Sequence, residues 1–173
     1  ASIDNNLPGS ELSIGADTAL NNAVGALDSI KQSAAASHRC FVAESMGRKC
    51  GYMALMSGIA TGAERVYLHE DGLTLAQLAR DSARMVESFR SGRQLYLVIR
   101  NERASENYTL DVLAKIFAQE GRGLYDVRHA AIGHLQQGGD PSAFDRIMAT
   151  KLVTHALGLL ADQLEAGTHP SSY

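Results

Sequence analysis

Extended, β-rich runs alternate with amphipathic helical runs along nearly the whole chain, and this alternation limits the possible folds more than any other feature. RCFVAE (39–44), RVYLHE (65–70), QLYLVIRN (94–101) and VRHAAIGHL (127–135) read as short, largely buried strands. A helical stretch opens at Ser13, with Ala16, Ala19, Leu20, Ala23, Val24, Leu27 and Ile30 on one face, and Ser33–Ser37 closes it. Gly51–Gly62 reads as a second helix with Gly62 as its C-terminal cap. Thr74 and Gln77 have capping-box spacing and open a third, whose stripe is Leu75, Leu78, Ala79, Ser82, Met85, Val86 and Phe89. A fourth helix spans about 109–120, turning Leu113, Ile116 and Phe117 inward. Asp140–Pro141, with Ser142 and Asp145 in capping-box spacing, launches the last helix to about Glu165. Residues 1–12 read as a strand end or loop, and GTHPSSY as a frayed end. Strand–helix alternation with short turns predicts right-handed crossovers. The expected fold class is therefore α/β: a three-layer αβα sandwich around a mostly parallel sheet of about four strands.

The length of 173 residues suits one domain with one sizeable core. At 45% hydrophobic with a net charge of -3, the chain is too apolar for disorder and too acidic for bulk nucleic-acid binding. No apolar run reaches membrane-spanning length. Cys40 and Cys50 fit neither a metal-ligand spacing nor a CxxC motif, which points to free thiols in a reducing cytoplasm. The first residue is Ala1, not methionine, and the expectation is a piece of something larger.

Parallel sheets bind ligands beyond the carboxyl ends of their strands. Those ends hold Asp4, Met46–Gly47–Arg48, Arg100–Asn101–Glu102 and Gly133–Gly139, whereas Arg39 and Arg128 fall near strand starts, at the other edge. Guanidinium forks and helix N-terminal amides suit an anion; carboxylate and imidazole groups suit the hydroxyls of a sugar. Taken singly, each such arginine or glutamate is an ordinary surface ion pair, and His134 an ordinary core histidine. His38, His69, His129, His155 and His169 read as structural or solvated, and the methionines as core filler. Residues alone support an α/β domain with a pocket for a small polyol anion.

SIDNN (2–6), SIGADTAL (13–20), ESMGRKCGYMAL (44–55), GAERVYL (62–68), RNE (100–102), NYT (107–109) and GHLQQGG–PS–FDR (133–146) together resemble the phosphofructokinase family, in family order and spacing. The resemblance covers residue 1 to about 160 and implies that family's sugar-phosphate-binding subdomain. It implies that Asp4 is the base accepting the 1-hydroxyl proton of fructose 6-phosphate and that Ser2 sits beside the transferred phosphoryl group. Met46, Gly47 and Arg48 would pack on the sugar and reach its phosphate, and Glu102 would hold sugar hydroxyls. Arg128 and His134 would bind the 6-phosphate, with Arg39 reaching it from a neighbouring subunit of a tetramer-like homo-oligomer. Nucleic acid and membrane are not expected partners.

HLQQGG, RNE–ENYT (100–109) and PGS (8–10) resemble the C-terminal, effector half of a duplicated eukaryotic enzyme, which implies a site for fructose 2,6-bisphosphate, and two departures from the catalytic pattern agree. Asn6 stands where catalytic halves carry a second aspartate, and Gln137 where they carry an arginine on the 6-phosphate. Asp4 and Arg48 pull the other way, towards a catalytic half, and a structural half without ligand is the third reading. The family's glycine-rich nucleotide loop and GTSR-like motif are missing from these residues, and GRGLYD (121–126) reads only as a turn. One domain (1–173) lacking the ATP-binding subdomain is thus expected. ATP and magnesium would belong to the full-length parent, with no cofactor expected here, no activity from the fragment alone, and some apolar surface left exposed.

Overall fold

A computed structural model describes residues 2–34 and 38–167, with the side chains of Ser2 and Ala34 excepted. Most of the closing turn read at Ser33–Ser37, and the tail beyond Gly167, lie outside the described residues. In chain order the elements are α1 (Ala16–Ala34), β1 (Arg39–Ser45), α2 (Tyr52–Thr61), β2 (Arg65–Tyr67), α3 (Leu75–Arg90), β3 (Leu95–Asn101), α4 (Leu110–Gly121), β4 (Asp126–Ala131) and α5 (Ala143–Glu165). Short 3-10 turns cover Ser2–Asp4 and Gly133–Gln137.

The four strands form one parallel sheet in the order β2-β3-β1-β4. Leaving β1, the chain crosses over β3 to the edge by way of α2, then returns through α3 and α4 on the opposite face. Reversing direction and face together keeps a single hand of crossover. One face buries Val42, Tyr67, Leu78, Met85, Val98, Leu113 and Phe117 beneath α3 and α4. The other buries Ala23, Leu27, Ala43, Ala54, Leu97 and Ile99 beneath α1 and α2. The central strands therefore read as continuous apolar runs, and each fully buried Leu or Phe contributes roughly 1.5–3 kcal/mol. Thr74 and Thr109 accept from the amides of Gln77 and Val112 and fix the starts of α3 and α4. The three-layer α/β architecture is the one the alternation predicts.

Two strands are shorter than the sequence suggests. Among the described residues β2 pairs only with β3, and it stops at Tyr67, because Glu70 turns to the start of α2, where its Oε1 accepts the Gly51 N–H at 2.7 Å. Gly51 has no side-chain cap, so Glu70 satisfies this helix-start donor from outside the helix. β4 ends at Ala131, since Ile132 adopts helical angles (φ -67°, ψ -39°) and leads into the second 3-10 turn. His134 thus lies in that turn and not on a strand. The last helix starts where expected, with Ser142 accepting from the Asp145 amide at 3.2 Å. Yet Asp145 is its one buried residue among those described, and Ile147, Leu152, Val153, Leu157 and Leu164 stay more than half exposed.

Candidate functional site

β1 and β3 are neighbours whose outgoing helices, α2 and α4, leave on opposite faces, which opens a crevice at their carboxyl ends. Met46, Gly47 and Glu102 meet in it. The Gly47 N–H donates to Glu102 Oε1 at 3.1 Å, and the Glu102 N–H donates to the Ser45 carbonyl at 2.9 Å. The Met46 N–H donates to Gln136 Oε1 at 2.8 Å, while Gln136 Nε2 donates to Ser45 Oγ at 3.4 Å. Asn101 Nδ2 donates to the Cys50 carbonyl at 3.1 Å and closes the loop from below.

Glycine is required at position 47 for two reasons. Its φ is +144°, and a Cβ there would lie 2.4 Å from the Cys50 oxygen and 2.6 Å from Asn101 Nδ2. Gly62 caps α2 at φ +66°, and a Cβ added there would meet nothing within 4 Å, so only backbone strain opposes its replacement. Gly47→Ala should therefore lower stability by about 1–3 kcal/mol and by more than Gly62→Ala, as read from urea unfolding midpoints. Equal losses would mean that the loop simply yields.

Beside the crevice, a cleft of about 500 Å³ is lined by Ile3, Thr18, Gln136, Gln137, Asp145 and Arg146. Asp4 is buried in the 3-10 turn next to it, a turn that packs on α1 and α2. Asn5 holds that turn at φ +50°: its Oδ1 accepts from the Ser13 amide at 2.7 Å, and its Nδ2 donates to the Glu11 carbonyl at 3.1 Å. Of Ser2 only the backbone, in the same turn, is described. The structure thus gathers Asp4, Met46, Gly47, Glu102 and Gln137 at one edge of the sheet.

Other predicted residues are placed apart from these. His134 is exposed on a neighbouring groove with Asn22, Gly25 and Leu135. Glu102 lines a different hollow, with Arg100 and Ser105, and the exposed Arg48 lines none of the three. Arg48, Glu102 and His134 therefore share none of these three hollows. Arg39 and Arg128 stand at the far edge of the sheet, as their positions near strand starts imply. Both face Asp126 Oδ2, from 3.7 Å and 2.9 Å.

Three residues named in the sequence only as parts of a motif, a strand end or a cap have stronger structural roles than that reading gives them. Gln136 is fully buried and orients the Met46–Gly47 loop; the only signal for it is its place in the HLQQGG motif. Arg100 is also buried, paired with the Glu44 carboxylate and donating to the Ser105 carbonyl at 3.1 Å. Asp145 accepts from the amides of Gly15 and Thr18, each at 2.8 Å, and from the hydroxyls of Thr18 and Ser142. Burial alone would raise its pKa, but these donors outweigh that and hold the carboxyl below its ordinary value. Burial pushes the Cys40 thiol well up, so it stays protonated and inert.

The family model described as Phosphofructokinase matches residues 1–160. The chain belongs to the phosphofructokinase family. It is 48% identical over 167 residues to an ATP-dependent 6-phosphofructokinase of Dictyostelium discoideum, spanning 96% of this chain and 20% of that protein. The human muscle-type ATP-dependent 6-phosphofructokinase is 42% identical over 166 residues, spanning 95% of this chain and 21% of that protein. The crystal structure of Pichia pastoris phosphofructokinase in the T-state superposes with a TM-score of 0.87 at 41% identity, over 91% of this chain and 18% of that one. The phosphofructokinase segment described here thus spans about a fifth of the length of the relatives it matches. None of its described helices is long and apolar enough to cross a membrane.

Proposed function

We propose that this chain is the sugar-phosphate-binding segment of an ATP-dependent 6-phosphofructokinase, and that its site takes fructose 2,6-bisphosphate as an effector. The parent would convert ATP and fructose 6-phosphate to ADP and fructose 1,6-bisphosphate. The supporting observation is the β1–β3 crevice, where the Gly47 amide and the Glu102 carboxylate engage each other. A bound polyol would replace that contact, its hydroxyls donating to Glu102 and its oxygens accepting from the loop. The opposite-edge placement of Arg39 and Arg128 supports a phosphate pocket completed by a neighbouring subunit, as in a tetramer-like oligomer. The setting would be the cytoplasm.

Asn6 favours the effector role over the catalytic one. It is exposed at the turn that holds Asp4, so no second carboxylate stands there. Asp4 is then the one carboxylate of this turn where a magnesium site could use two, and ATP and magnesium are assigned to the rest of the parent. The buried Asp4 beside the Gln137 cleft is the observation that favours a catalytic half instead.

Two variants in a full-length enzyme carrying this segment separate the readings. As an effector site, Glu102→Gln should weaken activation by fructose 2,6-bisphosphate about tenfold or more, with turnover at saturating fructose 6-phosphate kept. Asp4→Asn should then leave turnover within a few-fold of the parent. A fall in kcat of orders of magnitude in Asp4→Asn, with KM nearly unchanged, would instead identify the catalytic half. No change in either variant would leave only a structural role.

A further inference from the structure

A second cleft, of about 600 Å³, opens between the C-terminal ends of α3 and α4, at the sheet edge opposite the β1–β3 crevice. Small residues line it: Ala79 and Ala83 on α3, and Gly123, where an added Cβ would meet nothing within 4 Å; Gly121 also lines it, but its missing Cβ makes room for the Tyr125 ring. Ser82 lies at its floor, 2% exposed, and its Oγ has no hydrogen-bond partner among the described residues. A buried hydroxyl left unpaired is destabilising, and a helical serine ordinarily satisfies itself on the preceding turn. Around the rim stand Glu87, Arg90, Glu120 and Arg122, all exposed, and none makes an ion pair among the described residues. Arg122 caps α4 in the left-handed region at φ +47°, where glycine is the unstrained choice. Strain of this kind is tolerated where a side chain is needed.

Charge selects the ligand. Both helices end here, so their dipoles present partial negative charge, which Glu87 and Glu120 reinforce and which suits an ammonium. Arg90 and Arg122 suit a carboxylate. A plain anion meets the two glutamates, and a plain cation meets the two arginines. We propose that the α3–α4 cleft is a second ligand site, taking a small zwitterion with an ammonium and a carboxylate group, such as a free amino acid, with Ser82 bonding its polar end.

Calorimetric titration of the 173-residue chain with L-alanine tests this, using acetate and methylammonium as the two half-ligands. Saturable binding of L-alanine is expected, about tenfold or more tighter than either half-ligand. Arg122→Gly should weaken it about tenfold while holding or raising the melting temperature, because the strain is relieved. Ser82→Ala should also weaken binding with no loss of melting temperature, since an unpaired hydroxyl is removed. The proposal is overturned if L-alanine binds no tighter than acetate or methylammonium, or if Arg122→Gly binds it unchanged. It is equally overturned if Ser82→Ala melts markedly lower, which would reveal an internal partner for that hydroxyl.

Discussion

Glu44→Ala should destabilise the domain by about 3–5 kcal/mol, the loss that follows when one partner of a buried ion pair is removed. Glu44 and Arg100 are register partners on adjacent parallel strands, and their side chains are 22% and 2% exposed. The guanidinium donates to Glu44 and to the Ser105 carbonyl, while its Nε is already buried without a partner among the described residues. Truncating Glu44 leaves a charge that is 2% exposed, beside the hollow it lines, and cannot lose its proton. Replacing the pair together, as Glu44→Leu with Arg100→Met, should recover most of the loss, because apolar side chains carry no desolvation penalty. Urea unfolding of the two single variants and the double variant measures the coupling directly. A loss below about 1 kcal/mol for Glu44→Ala would show that Arg100 reaches solvent and that the pair is ordinary surface chemistry. The pair lies one rung below Asn101 and two residues from Glu102, so its loss should also loosen the crevice.

What was legible in the sequence follows from which interactions are local. Helix periodicity, the Thr74 and Ser142 caps and the apolar strand centres depend on neighbours within a few residues, and they predict the elements and the α/β class. The ends of β2 and β4 do not. Glu70 stops the first by reaching back 19 residues to Gly51, and Ile132 stops the second by a change of backbone angles that no local composition marks. Candidate site residues were legible as motifs; their grouping was not. Met46, Gly47 and Glu102 meet only because β3 lies beside β1, a consequence of strand order. Gln136 and Gln137 are identical in type and adjacent, yet one is fully buried and orients the loop while the other is exposed on a cleft. Arg100 reads as a strand-end charge like Arg48 until its depth is known. The last helix is legible as a helix, but how little of its apolar surface is buried is a property of what surrounds it.

The same distinction makes Asp145 the most sensitive position outside the sheet. Asp145→Asn keeps the volume but points an amide donor at groups that are themselves donors: the amides of Gly15 and Thr18 and the hydroxyls of Thr18 and Ser142. A loss of about 2–4 kcal/mol near neutral pH is expected, as buried donors are left unmet. The pH dependence follows from the lowered pKa. An aspartate whose folded-state pKa lies below its unfolded value of about 3.9 adds stability above that pH, and this contribution fades as pH falls through the folded value. The stability gap between parent and Asp145→Asn should thus be full above about pH 4 and narrow at lower pH. A gap independent of pH would mean that the carboxylate's charge contributes nothing and that only shape matters. Location sharpens the expectation further. Asp145 is the one buried residue of α5 among those described, and its donors all sit at the starts of α1 and α5. Amide hydrogen exchange in Asp145→Asn should therefore accelerate along α5 and the start of α1 well before it changes in β1 or β3. The cleft that holds Gln137 and Arg146 is built on that same junction, so it should lose its shape while the crevice at Glu102, carried by the strands, keeps its own.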